Sequence, residues 1–205
     1  MLVAVAAFSL AAVLIVLLPG PDTLVVVRSI MRGGRRQGVL TAAGNLCGLT
    51  VWVAAAALGL AAVLRASEVG YEALRIAGAA YLVWLGVQAI RTARSRGVDQ
   101  PEREGRGGVL GSGFGAGLLT NLLNPKVGVF FVTFLPGFVP HGYSVGITSL
   151  LFGAIFVVIT AVYWVVLLGL AAKVTAWMTT PRVRRRLDMI TGTILIGFGI
   201  RLVTE

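Results

Sequence analysis

Two proline-broken apolar segments constrain this chain more than any other feature. Pro19-Gly20-Pro21-Asp22 and Asn124-Pro125-Lys126 fall at matching places in its two halves, each inside a run that otherwise reads as membrane-spanning helix. Proline lacks an N–H and its ring clashes with the preceding turn, while Gly20 tolerates backbone angles that other residues avoid, so each run is expected to unwind there. An unbroken helix from Leu2 to Met31 would be about 45 Å long at about 1.5 Å per residue, well beyond a hydrocarbon layer of about 30 Å. Unwinding inside a bilayer strips backbone groups of their partners, and it is tolerated only where protein or a water-filled cavity supplies new ones. The paired breaks therefore imply a polar cavity, and such a pair is the best pointer a sequence gives to the substrate site of a secondary transporter.

Hydrophobic residues make up 57% of the 205 and charged ones 13%, with a mean hydropathy of +0.90. That leaves too little polar surface for a soluble globule. Apolar runs cover Leu2 to Leu18, Val39 to Leu64, Ala73 to Ile90, Val109 to Val132, Val145 to Ala172 and Ile190 to Val203, each near the roughly 20 residues a spanning helix needs. Without period-two alternation of polar residues a transmembrane barrel is excluded. The expected fold is all-α, a polytopic membrane protein of six transmembrane helices. The first run has no basic n-region and no small-residue cleavage site, so it reads as a retained span rather than a signal peptide.

A net charge of +10 would suggest nucleic acid in a soluble protein. Here the basic residues cluster at the ends of apolar runs: Arg28, Arg32, Arg35 and Arg36 after the first, Arg91 to Arg106 after the third, and Lys173 to Arg186 after the fifth. They report topology, so no nucleic-acid partner is expected, those connections are cytoplasmic, and both termini lie outside. The polar stretch 92–108 reads as a cytoplasmic linker between three-helix halves at 1–91 and 109–205. Because each half has an odd number of spans, an internal repeat would be inverted. Aligning Pro21 with Pro125 sets Gly20 against Asn124 and Asp22 against Lys126, and Gly86 aligns with Gly199 near the ends of the halves.

Each break carries one ionisable residue, and the two charges are opposite. A charge at mid-span costs about 2.5 to 3.5 kcal/mol on insertion scales, so leaving both unpaired would be expensive. A static Asp22–Lys126 pair that locks the halves together is one arrangement. The sharper one has Asp22 attracting a substrate ammonium or carrying a coupling proton while Lys126 attracts a carboxylate, a pair that suits a zwitterion. Asn45, Asn121 and Asn124 are the other strong hydrogen-bonding side chains at depth, and Asn124 is as well placed to stabilise the break as to touch a substrate. Gly44 and Gly48, Gly111 and Gly115, and Gly113 and Gly117 have small-xxx-small spacing, which marks packing within a bundle more often than a dimer face; a homodimer stays possible. Cys47 is the only cysteine and reads as a small packing residue, His141 as a solvated loop residue. With one residue of each kind and no HExxH helix there is no thiol pair or metal set, so no metal and no enzyme activity are expected. A membrane assembly subunit, with the two charges as a clasp, is the alternative from a different class.

These residues resemble the lysine exporter (LysE/RhtB) superfamily of bacterial membrane proteins. The resemblance covers nearly the whole chain and rests on Pro19-Gly20-Pro21-Asp22, Arg32-Gly33-Gly34-Arg35-Arg36, Gly44-Asn45 with Gly48, Tyr81-Leu82-Val83-Trp84-Leu85-Gly86, and Asn121 with Asn124-Pro125-Lys126. It implies a bacterial inner-membrane protein that exports an amino acid or similar small metabolite from the cytoplasm, driven by an ion gradient taken as protons, with no bound cofactor. A metal-cation exporter of the same superfamily is the alternative within transport, disfavoured because hard cations want several oxygens and the spans offer one deep carboxylate.

Overall fold

The computed structural model describes residues 1–18, 20–60, 68–95, 112–170 and 180–204. Helix dominates, and no strand occurs among the described residues. Helix α1 spans Leu2–Leu17, α2 Pro21–Ala55, α3 Glu68–Ser95, α4 Phe114–Leu122, α5 Pro125–Val129, α6 Val145–Gly169 and α7 Pro181–Thr204. A π-helical turn Ala56–Leu60 extends α2, and a π-helical turn Phe130–Phe134 followed by a 3-10 turn Leu135–Phe138 extends α5. Among the described residues, two helices are by themselves long and apolar enough to cross a membrane, Pro21–Leu58 and Val145–Gly169.

Both broken runs split into two helical pieces. Gly20 and Asn124 are the N-caps of α2 and α5, with extended backbone, and Pro21 and Pro125 occupy the first turn, where a missing N–H costs nothing. Pro19 lies outside the described residues. The connection expected after Met31 is a kink rather than a loop, because Gly33 and Gly34 leave helical angles, Gly34 with φ of 70°, and α2 resumes directly beyond them. Helix α3 runs past Arg91 to Ser95, and the rest of the expected linker is outside the described residues.

Close helix contact locks α2 onto α4. A Cβ at Gly44 would strike the Phe114 carbonyl, and one at Gly117 the Thr41 carbonyl, so only glycine lets these backbones meet. Gly115, by contrast, has nothing within 4 Å of a Cβ position, and Gly111 is outside the described residues. Helices α3 and α7 pack chiefly on each other, with Gly86 against the Gly192 carbonyl and Gly199 against the Ala79 carbonyl. Cys47 is exposed on the outer face of α2, not packed as expected. His141 is exposed in a turn.

Two apolar clusters stand along α6. Near its start Phe152 and Phe156 join Phe8, Phe130, Phe131 and Phe134, with Phe8 stacked on Phe152 at 4.6 Å and Phe130 tilted against Phe156 at 4.9 Å. Near its end Trp164 and Leu167 join Val26, Val27 and Ala42. Thr160 and Tyr163, between the two, face the site together with Trp164 of the second cluster.

Candidate functional site: a chamber between two helix breaks

The two breaks meet. Asp22, Thr23, Asn45, Asn121 and Lys126 line one small chamber together with Thr160, Tyr163, Trp164 and apolar walls that include Ile15, Leu49 and Phe156. Its volume is about 30 Å³, room for a water or two and not for an amino acid.

The opposite charges take separate partners. The Lys126 ammonium donates to the backbone carbonyls of Leu18 at 2.9 Å and Ile15 at 3.2 Å. Those carbonyls end α1, where the helix dipole is negative; the Ile15 carbonyl also accepts from the Leu18 backbone N–H at 3.3 Å. Asp22 sits in the first turn of α2, at the positive end of a helix. One carboxylate oxygen, Oδ2, accepts from Asn124 Nδ2 at 2.7 Å and Asn121 Nδ2 at 3.4 Å. The breaks thus hold each other reciprocally: the lysine of the second caps the helix that ends at the first, and asparagines at the second hold the acid of the first.

Asn124 stabilises the break, as one of its two expected roles had it, and is not among the residues that line the chamber. Its Oδ1 accepts from the Lys126 backbone N–H at 3.1 Å, capping α5, while its Nδ2 reaches Asp22. Gly48 leaves room for Asn121, since a Cβ there would sit 2.9 Å from Asn121 Oδ1, and Trp52 Nε1 donates to the Asn121 carbonyl at 3.3 Å. Asn45 Oδ1 accepts from Trp164 Nε1 at 3.1 Å.

Three buried polar atoms on the chamber have no hydrogen-bond partner: Asp22 Oδ1, Asn45 Nδ2 and Asn121 Oδ1. An unsatisfied buried group costs about 1 to 3 kcal/mol, so these three atoms call for a partner inside the chamber, whether water or ligand.

Sequence reasoning passed over Thr23, Thr160, Tyr163 and Trp164. Tyr163 and Thr23 hydroxyls meet at 3.1 Å, and Trp164 orients Asn45. The signal was there: within the apolar run from Val145, Thr160, Tyr163 and Trp164 recur at helical spacing and so share one face. No group of three His, Cys, Asp or Glu that could hold a metal occurs among the described residues.

Broken apolar helices around a polar chamber define a helical membrane transporter rather than an enzyme. The chain belongs to the LysE type translocator family, whose model matches residues 13–205. It is 31% identical over 188 residues to the threonine efflux protein of Escherichia coli, covering 90% of each chain. It is 30% identical over 198 residues to the leucine efflux protein of Klebsiella pneumoniae, covering 94% of this chain and 91% of that one. To the homoserine/homoserine lactone efflux protein of Salmonella typhimurium it is 28% identical over 199 residues, covering 97% and 95%. No solved structure matches the chain.

Proposed function

We propose that this protein exports a small amino acid from the cytoplasm across the bacterial inner membrane, coupled to proton movement, by alternating access of the chamber between the two helix breaks. The observation that carries the reading is the meeting of three unpartnered buried polar atoms around one acid where the breaks touch. The efflux relatives supply the direction of transport and the substrate class. Asp22, Asn45, Asn121, Asn124 and Lys126 frame the site, with Asp22 receiving the substrate ammonium or the coupling proton, and Pro19, Gly20, Pro21 and Pro125 provide the hinges.

A chamber of about 30 Å³ is too small for an amino acid, so on this reading the breaks separate to admit substrate. The apolar clusters on either side of it along α6 are the natural barriers toward the two faces of the membrane. Six spans, in two inverted halves with both termini outside, fit the basic connections and the equivalent capping of α2 and α5 by Gly20 and Asn124.

Proteoliposomes loaded with labelled L-threonine, L-leucine or L-homoserine and given a proton gradient test this. The wild-type protein is expected to release at least one of them, and Asp22→Asn, inserted at equal density, to release none. Efflux that is equal in both, or absent from the wild type for every amino acid tried, refutes it.

A further inference from the structure

The obvious assignment of the two charges gives the substrate ammonium to Asp22 and its carboxylate to Lys126. The hydrogen bonds argue for a different partition. Two of the three Lys126 donors are already spent on the α1 carbonyls of Ile15 and Leu18. Its approach to them is kept open by Gly20, where a Cβ would lie 3.3 Å from Nζ and 3.7 Å from Cε.

The amide orientations on the chamber are fixed by partners that can act in only one sense. Trp164 Nε1 is donor only, so the Asn45 atom facing it is Oδ1 and the free atom is the donor Nδ2. The Asp22 carboxylate is acceptor only when ionised, so the Asn121 atom facing it is Nδ2 and the free atom is the acceptor Oδ1. The chamber therefore offers two unpartnered acceptors, Asp22 Oδ1 and Asn121 Oδ1, and one wholly unpartnered amide donor, Asn45 Nδ2, beside the third N–H of Lys126 and the one hydroxyl proton that the Thr23–Tyr163 bond leaves over. Asn45 is 1% exposed and Asn121 2%, so neither finds water at the surface.

Resting on the exporter reading above, we propose that Asn45 Nδ2 is the carboxylate subsite of this transporter, that Asp22 Oδ1 and Asn121 Oδ1 form the ammonium subsite, and that Lys126 is a positioning residue. Lys126 acts through α1: its ammonium caps the end of the broken helix and holds the first break against the second while the site is closed. The ligand is a molecule with an ammonium and a carboxylate on one carbon, seated with the ammonium toward the breaks and the carboxylate toward α2 and α6.

Asn45→Asp is the decisive variant. It is isosteric, keeps an oxygen for Trp164, and replaces only the free donor with a second carboxylate oxygen. Half-saturating concentrations of L-threonine and L-threoninamide, read as competitors in counterflow with the reconstituted full chain, give an acid-over-amide preference for each protein. Repulsion of the acid and acceptance of the amide N–H are expected to lower that preference about tenfold or more in Asn45→Asp. Lys126→Met and Lys126→Arg are expected to leave it within about twofold, since neither touches the carboxylate. Lys126→Arg, which still donates to the carbonyls, is expected to turn over faster than Lys126→Met. Should Lys126→Met fail to assemble, Lys126→Arg carries the comparison. A preference that collapses in a Lys126 variant, or that is unchanged in Asn45→Asp, overturns the assignment. A wild-type protein that moves no amino acid sinks the exporter reading instead, and the two failures are told apart by that control.

Discussion

Asn124 is the residue on which fold and site converge, and its two bonds can be separated by substitution. Asn124→Ser keeps a side-chain oxygen able to accept from the Lys126 N–H and removes the amide donor to Asp22; Asn124→Ala removes both. Loss of an N-cap costs about 1 kcal/mol. For the Asp22 bond two scales compete. Interhelical hydrogen bonds in membranes average only about 0.6 kcal/mol, which would leave Asn124→Ser close to wild type. Hydrogen bonds to charged groups are worth about 1.5 to 3 kcal/mol. The second scale applies here because the acceptor is a carboxylate whose other oxygen has no partner, and because 2.7 Å is the length of a charge-assisted bond. Adding the cap gives about 2.5 to 4 kcal/mol for Asn124→Ala. At about 2 to 4 °C per kcal/mol for a chain of this size, the thermal midpoint should fall roughly 3 to 12 °C in the Ser variant and roughly 5 to 16 °C in the Ala variant. Thermal unfolding in lipid nanodiscs followed by tryptophan fluorescence measures both. Equal midpoints in wild type and Asn124→Ser would show that the Asp22 bond contributes nothing, and the reciprocal clasp between the breaks would fail with it.

Two further outcomes test the packing around the chamber. Gly117→Val should abolish folded protein, because the new side chain meets the Thr41 backbone carbonyl, which cannot move aside without separating α2 from α4; a normal yield of monodisperse protein would contradict that contact. Trp164→Phe removes the donor to Asn45 Oδ1, so stability should drop by about 1 to 3 kcal/mol in the same unfolding assay, with no drop counting against the bond.

Much of the site was legible from the chain alone because the signals are local. Proline and glycine punctuate a helix through their own backbone chemistry, so the breaks at Gly20-Pro21 and Asn124-Pro125 followed without knowing what surrounds them. Asp22, Lys126 and the three asparagines stood out because polar groups are rare and costly in apolar runs. Orientation was not legible in the same way. Helices that are apolar all round carry no stripe to say which face turns inward, which is why Cys47 was assigned to the packing and lies outside it, and why Tyr163 and Trp164 passed as ordinary span residues.

The amino-acid sequence thus determined that the chain is helical, that two of its helices break, and which charged and amide side chains those breaks bring along. Tertiary structure decided what each of those groups bonds to. The partners of Lys126 are backbone carbonyls 108 and 111 positions away, and a carbonyl is the same atom whatever residue carries it, so no reading of side chains could have marked Ile15 and Leu18. Which amide atoms remain free on the chamber was settled likewise, by a tryptophan on α6 and an aspartate on α2 that meet Asn45 and Asn121 only once the helices are packed.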